Sequence, residues 1–375
     1  MNTYDFIIVG GGIAGASAAY ALAADARVLM IERESQFGYH STGRSAALFL
    51  QSHGPAVVRG LACGSKTFFL NPPAGFTDYE LLRARGMLFI GAHGQELELD
   101  HIAEECRRFV NAIKRLDART TREMVPVLKE TAVAGAVFDP EAMDMDVHAI
   151  HYGFIRGART RGGVTLEDAE MLDAAYADGR WKLHTTAGLF VAPVVINAAG
   201  AWCDKVGEIF GAQPLGLVPK RRTAFIFDPP NGVDCGQWPV VHDVGETFYF
   251  KPEAGKILAS PADETPMEPC DVHPDDLDIA TAVARIQRTA DLPITHINRK
   301  WAGLRSFVAD GCPVAGYDPA VEGFFWLAGQ GGYGIETSPA MGRLCASLAM
   351  KKGVPDDLAA LGVRERDLSP ARFKQ

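Results

Sequence analysis

The sequence contains no C-x-x-C pair, and its seven cysteines (Cys63, Cys106, Cys203, Cys235, Cys270, Cys312 and Cys345) are scattered and odd in number. That pattern excludes a zinc ribbon or a disulfide framework and reads as reduced thiols in a cytoplasmic protein. A basic field is missing too. The 37 Lys and Arg are outnumbered by 46 Asp and Glu, giving a net charge of -9. Nucleic acid is thereby disfavoured as a partner, because phosphate binding needs clustered positive charge. No apolar run reaches the ~18 residues of a membrane span, so only peripheral contact with a bilayer stays open. The N-terminus "MNTYDFIIVGGG" has no basic segment ahead of its apolar stretch and reads as a strand, not a signal peptide. Repeats and low-complexity tracts are also lacking. What remains is an ordinary globular composition, 47% hydrophobic and 22% charged, in 375 residues. That length exceeds one core, so two domains are expected.

The most informative segment is "YDFIIVGGGIAGASAAYALAADARVLMIERE". "FIIV" suits a strand buried on both faces, and "RVLMIE" a second one ending on Glu32. Between them Gly10, Gly12 and Gly15 form G-x-G-x-x-G ahead of a helix rich in small residues. Glycines permit a tight turn and close approach to a pyrophosphate at the helix N-terminus, and Glu32 is spaced to accept from a ribose hydroxyl. The motif alone leaves NAD and FAD both open.

Further along, "LACGSKTFFLNPPAGF" and "ELELDHIAEECRRFVNAIKRL" read as amphipathic helices, with a strand pair in "LLRARGMLFIGA" between them. A helix capped by Asp146 or Asp144 is expected to end at Gly162-Gly163. Residues 216–260 are strand-rich, a helix follows near 274–289, and the end reads strand, glycine loop, long helix. The organisation is expected to interleave, with 1–53, 141–215 and 303–375 in a nucleotide-binding domain and 54–140 and 216–302 in a substrate-binding domain.

Four segments carry a family resemblance: "DFIIVGGGIAGASAAYALA", "GYHSTGRSAA", "VINAAGAWCD" and "KWAGLRSFVADGCPVAGY…GFFWLAGQGGYGIETSPAMG". Together they resemble the FAD-dependent D-amino-acid oxidase and glycine/sarcosine oxidase superfamily, and within it the bacterial D-arginine dehydrogenase type. The resemblance implies an α/β protein: a Rossmann-like FAD-binding domain interleaved with an α+β substrate domain on a mostly antiparallel sheet. It implies FAD, held without a covalent bond, on Gly10, Gly12, Ile13, Ala14, Gly15, Glu32 and Arg33. Ser41, Thr42, Gly43, Arg44, Ser45 and Ala46 would pass the pyrophosphate and the ring, where small residues let backbone approach closely. Met171, Gly200, Trp202 and Gly303 would add contacts, as would Arg305, Gly331, Gly332, Tyr333, Gly334, Ile335 and Thr337.

Oxidation of an amino acid by a flavin mainly requires positioning, and a planar guanidinium suits the substrate carboxylate. The resemblance gives that work to Arg222 and Arg305, with Tyr249 as a further donor and the Gly332 backbone beside them. Bland readings compete: an interdomain ion pair for Arg305, a core position for Tyr249 or Trp202, a surface loop for Arg44. The implied reaction is oxidative deamination of a D-amino acid to a 2-oxo acid and ammonia. Secondary amines, 2-hydroxy acids, or a flavin-binding sensor without turnover are the alternatives. Leu48, Leu50, His53, Met87, Val240, His242 and Ile335 would line the pocket. The D-arginine type has a histidine, a tyrosine and an acid where this chain has Leu48, His53 and Gly86-Met87, so neutral or apolar side chains are expected. Alternatively Leu48 and Phe49 belong to the core beneath the cofactor. Sarcosine-type oxidases place a lysine over the flavin where this chain has Ile257, with Lys256 expected on the opposite face, which implies dehydrogenase behaviour. The electron acceptor (a quinone, another carrier or O2) stays open.

Overall fold

The computed structural model describes residues 2–373. Residues 1, 374 and 375, the ends of the expected nucleotide-binding domain, lie outside the described residues. A six-stranded sheet forms the first half of the architecture, in the order Val164–Leu166, Val28–Ile31, Phe6–Val9, Val194–Asn197, Phe324–Ala328, Val314–Tyr317. All neighbours are parallel except the last pair. Strands Phe6–Val9, Val28–Ile31 and Phe324–Ala328 are buried throughout, as their unbroken apolar runs require.

Alternation along these strands divides two cores. Phe6, Ile8, Val28 and Met30 pack under helices Ile13–Leu22, Val147–Thr160 and Ser338–Ala349. Ile7, Val9, Leu29 and Ile31 face Trp181, Leu183, Phe190 and Ala192 of a four-stranded sheet instead. The helix Val147–Thr160 starts as its sequence predicts, with Asp146 accepting from Ala149 N at 2.8 Å.

The second large sheet has nine strands and is antiparallel except where Val240–Asp243 runs parallel to Met87–Gly91. Its longest pairing joins Val218–Phe227 to Arg299–Phe307. One face packs on helix Asp276–Thr289 through Phe225, Phe227, Val241, Phe250 and Ile257. Strand alternation therefore sends Val240, His242 and Tyr249 to the opposite face.

Three local expectations are corrected. The helix expected over 61–76 spans Ala56–Leu70, since Pro72 and Pro73 cannot continue it. The helix begun at Glu96 ends at Arg107, and Lys114–Asp117 is a strand. Ile257 points into the core under Asp276–Thr289, not toward the site. Lys256 reaches the surface, where its ammonium pairs with Asp228.

Candidate active site

The turn after strand Phe6–Val9 can be made only by glycine. Gly10 has a φ of +109°, and a Cβ there would lie 2.4 Å from the Ala198 carbonyl oxygen. A Cβ on Gly15 would lie 1.9 Å from the Gly10 carbonyl oxygen, so this glycine packs helix against turn. Gly12 caps helix Ile13–Leu22 without a side-chain acceptor, which leaves first-turn N–H groups for an anionic ligand. Thr42 Oγ1 takes one of them, accepting from Ile13 N at 3.0 Å. The Glu32 carboxylate is held at the end of its strand by Gly11 N at 2.8 Å and Glu34 N at 3.0 Å.

Three connected cavities run from this turn across the molecule. The first is walled by Gly10, Gly12, Glu32, Arg33, Met171, Gly200 and Trp202. The Arg33 guanidinium covers the Trp202 ring at 4.4 Å from its centroid. The second shares Gly12, Ser41, Thr42 and Gly200 with the first. It continues past Ile13, Ala14, Arg44, Ser45, Ala46, Gly303, Gly331, Gly332, Gly334 and Ile335. The third, of about 330 Å3, shares Ser45, Ala46, Arg222, Tyr249, Arg305 and Gly332 with the second.

The loop between the first two cavities is pinned to strand Arg299–Phe307. Ser41 Oγ donates to the Leu304 carbonyl at 2.6 Å, and Trp301 Nε1 donates to the Arg44 carbonyl at 2.9 Å. Arg44 spends its guanidinium on that seam. It donates to the carbonyls of Tyr39, Val272 and Ala302 and pairs with Asp271 at 2.5 Å. Its side chain is thus an anchor, and only its position in the wall faces the cavity.

In the third cavity "ALFL" divides by alternation. Phe49 is fully buried in the helical core, whereas Leu48 and Leu50 line the cavity beside Met87, Phe89 and Val240. His53 reaches the same space, 5.8 Å from the Tyr333 ring, and His242 stacks on Tyr249 with rings 5° from parallel. His53 is exposed and His242 half-buried; desolvation by the neighbouring walls, joined at His53 by the charge of His242, holds both below the usual imidazole range. Both imidazoles are therefore neutral at pH 7.

The two arginines differ. Arg222 donates to Glu264 at 2.8 Å, and Lys220 pairs with the other oxygen of that carboxylate at 2.9 Å. Arg222 Nε is buried without a partner among the described residues. Arg305, half-buried against Gly332, makes no side-chain hydrogen bond or ion pair among the described residues. Burial first, and then the Arg222 charge, lower its proton affinity. An arginine nonetheless keeps its charge at any physiological pH.

Gly15, Gly43 and Thr337 line none of the three cavities. Gly43 closes a turn by donating to the Gly38 carbonyl at 2.7 Å, and Thr337 caps the last long helix. Sequence reasoning missed four charged residues of the third cavity: Lys220, Glu246, Glu264 and Glu336. Lys220 was within reach, since it lies two residues before Arg222 on one strand and so shares its face. Glu246 and Glu264 come from a turn and a segment with no motif. The segment "RARGMLF" indeed supplies no acid, but distant segments bring acids to the same wall.

The fit to a dinucleotide is physical. A turn that only glycine can make meets an uncapped helix and a ribose-spaced carboxylate. The cavity then runs on past the glycine segment, where Gln330 Nε2 is buried without a partner. Such a site defines a dinucleotide-dependent redox protein whose second cavity has room beyond the pyrophosphate. The chain belongs to the DAO family of FAD-dependent oxidoreductases, whose family model, described as "FAD dependent oxidoreductase", matches residues 5–348. It is 27% identical to a glycine oxidase of Geobacillus kaustophilus over 374 residues, covering 96% of each chain. It is 23% identical to hydrogen cyanide synthase subunit HcnC of Pseudomonas aeruginosa, covering 96% of this chain and 95% of that one. Among solved structures, L-proline dehydrogenase from P. horikoshii superposes with a TM-score of 0.84 at 22% identity, covering 100% of this chain and 98% of that one. That likeness shows the fold. FAD is thus the cofactor.

Proposed function

We propose that the protein oxidises the Cα–N bond of an α-amino acid, giving a 2-oxo acid and ammonia after hydrolysis of the imine. The observation that carries this reading is Arg305: a half-buried guanidinium with no protein partner among the described residues, at the junction of the second and third cavities. A partly desolvated, unpaired cation facing a cavity is well placed to pair with a substrate carboxylate. Arg222 and Tyr249 share the junction and complete a clamp for the carboxylate. FAD, bound without a covalent link, would lie along Gly10 to Ala14 and Gly331 to Ile335 and supply the two-electron acceptor. The chain's own work is to fix the carboxylate, aim Cα at the second cavity and keep water out behind Leu48, Leu50, Met87 and Val240. Residues 1–53, 141–215 and 303–375 would form the cofactor side, with 54–140 and 216–302 the substrate side.

The substrate is read as a D-amino acid with a neutral or apolar side chain. Of the acids on the wall, Glu264 is already shared by Lys220 and Arg222, Glu246 stands exposed at the rim, and burial raises Glu336 to about 8, which leaves it neutral at pH 7. A cationic side chain would enter among three fixed cations. An apolar one gains about 0.8 kcal/mol per buried methylene. The glycine oxidase relative at 27% identity favours a second reading, a small primary or secondary amine such as glycine or sarcosine. Anaerobic addition of both enantiomers of Met, Leu, Phe, Val and Arg, with glycine and sarcosine, separates the two. Bleaching of the bound flavin by D-Met and D-Leu ahead of the rest supports the first reading. Bleaching by glycine or sarcosine alone replaces it with the second.

A further inference from the structure

One buried acid of the third cavity has no part in the clamp. Glu336 is 5% exposed, and Leu50 N donates to its Oε2 at 2.9 Å. Its other oxygen has no protein partner among the described residues and opens to the cavity. Glu336 follows the glycine segment by a single turn. Gly332, in that segment, lies against the Arg305 guanidinium, whose Cζ would be 3.1 Å from a Cβ built there. The Arg305 charge is felt at the acid, and both line the same cavity.

Given the amino-acid reading above, we infer that Glu336 takes a proton from the substrate's α-ammonium. An amino acid arrives at neutral pH as the ammonium, whose nitrogen has no lone pair to support loss of hydride from Cα. Glu336 is protonated in the free protein at pH 7 and gives that proton to solvent as the ligand binds. One N–H bond of the ammonium then breaks and one O–H bond forms on the carboxylate, with no change in oxidation state and one proton released overall. Other groups near the acid suit the task less. Arg305 stays protonated, Tyr333 is raised by burial, and His53 stands exposed, held below the usual imidazole range. Glu246 and Glu264 stand at the rim, the second already paired. Burial raises Glu336 to about 8, against the Leu50 N–H and the Arg305 charge. That value lies near an α-ammonium's own range, where proton exchange between the two is close to balanced.

Proton release on binding tests this with the FAD-loaded enzyme. The probe is 2-aminoisobutyrate, which has an α-ammonium and a carboxylate but no Cα hydrogen to lose. Titration calorimetry at pH 7 in buffers of different ionisation enthalpy should show about one proton released per ligand bound. Isobutyrate, without an amine, should release none, and 5-aminopentanoate, with only a distal ammonium, should release none. In Glu336→Gln, which keeps an acceptor for Leu50 N–H, release should vanish. The anaerobic rate of flavin reduction by D-Met at pH 7 should fall about 10²-fold there and recover as pH nears the free amine's range. Glu336→Leu, which also drops the Leu50 contact, separates loop positioning from proton transfer. Undiminished proton release in Glu336→Gln, or release with 5-aminopentanoate instead, overturns the assignment. Either result leaves the amino-acid reading intact, whereas a flavin that no amino acid bleaches removes both.

Discussion

Replacing Arg305 by Met should weaken carboxylate binding far more than it disturbs FAD. The guanidinium is half-buried and has no protein partner among the described residues to leave stranded, so its removal exposes no second charge. What is lost is a desolvated charge-assisted pair with the substrate, about 2–4 kcal/mol, or roughly 30- to 900-fold in Kd. Arg222→Met should cost less, about 1–2 kcal/mol, because in the free protein Arg222 already binds Glu264, and that ion pair must loosen for substrate. The assay is the flavin absorbance change on anaerobic titration with isobutyrate, read beside the FAD content of each variant. Loss of FAD together with ligand binding in Arg305→Met would show that the arginine is structural. Equal losses for the two variants would refute the distinction drawn from Glu264.

Other outcomes follow from the same geometry. Gly15→Ala should purify without yellow colour, because its Cβ would lie 1.9 Å from the Gly10 carbonyl oxygen; a fully loaded variant would contradict the packing argument. Acid precipitation of the wild type should release the flavin, since no cysteine lines any of the three cavities. A dye should reoxidise the reduced enzyme faster than O2 does, because Lys256 is paired with Asp228 at the surface; matching peroxide production in air would overturn this. Burial lifts Glu336 from its ordinary 4.5 to about 8, so the folded chain holds this proton more tightly than the unfolded chain. That stability is fully present below about pH 4.5 and is lost as pH rises through about 8, at up to ~1.4 kcal/mol per unit. Melting of the FAD-loaded protein between pH 5 and 8 should show the slope in wild type, flattened in Glu336→Gln.

Local chemistry made the cofactor side readable. Gly10, Gly12, Gly15 and Glu32 announce a tight turn, a helix start and a strand-end acid at fixed spacing, and the structure places that turn, the start of helix Ile13–Leu22 and the Glu32 carboxylate on Gly11 N together. Strand period made part of the substrate side readable as well. Leu48 and Leu50 alternate with Phe49, and Tyr249 alternates with Phe250. Phase was harder than period. The comparison put Ile257 over the flavin, but Ile257 points into the core, and on a strand a slip of one residue reverses the face. Groups delivered by tertiary pairing left no trace in sequence. Glu264 meets Arg222 across 42 residues, and Glu336 meets Leu50 across 286. The anchoring role of Arg44 was hidden for the same reason, since Val272 and Ala302 come to it only in the folded chain.

The central claim, removal of hydrogen from the Cα of an amino acid held by Arg305, is tested most directly by stopped-flow reduction of the bound flavin under anaerobic conditions. D-Met and D-Met deuterated at Cα should both bleach it to completion, with the deuterated substrate measurably slower and with one 2-oxo acid formed per flavin. Full bleaching at equal rates would move the rate-limiting step away from that bond. No bleaching by any amino acid of either hand, in protein that carries FAD, would contradict the account.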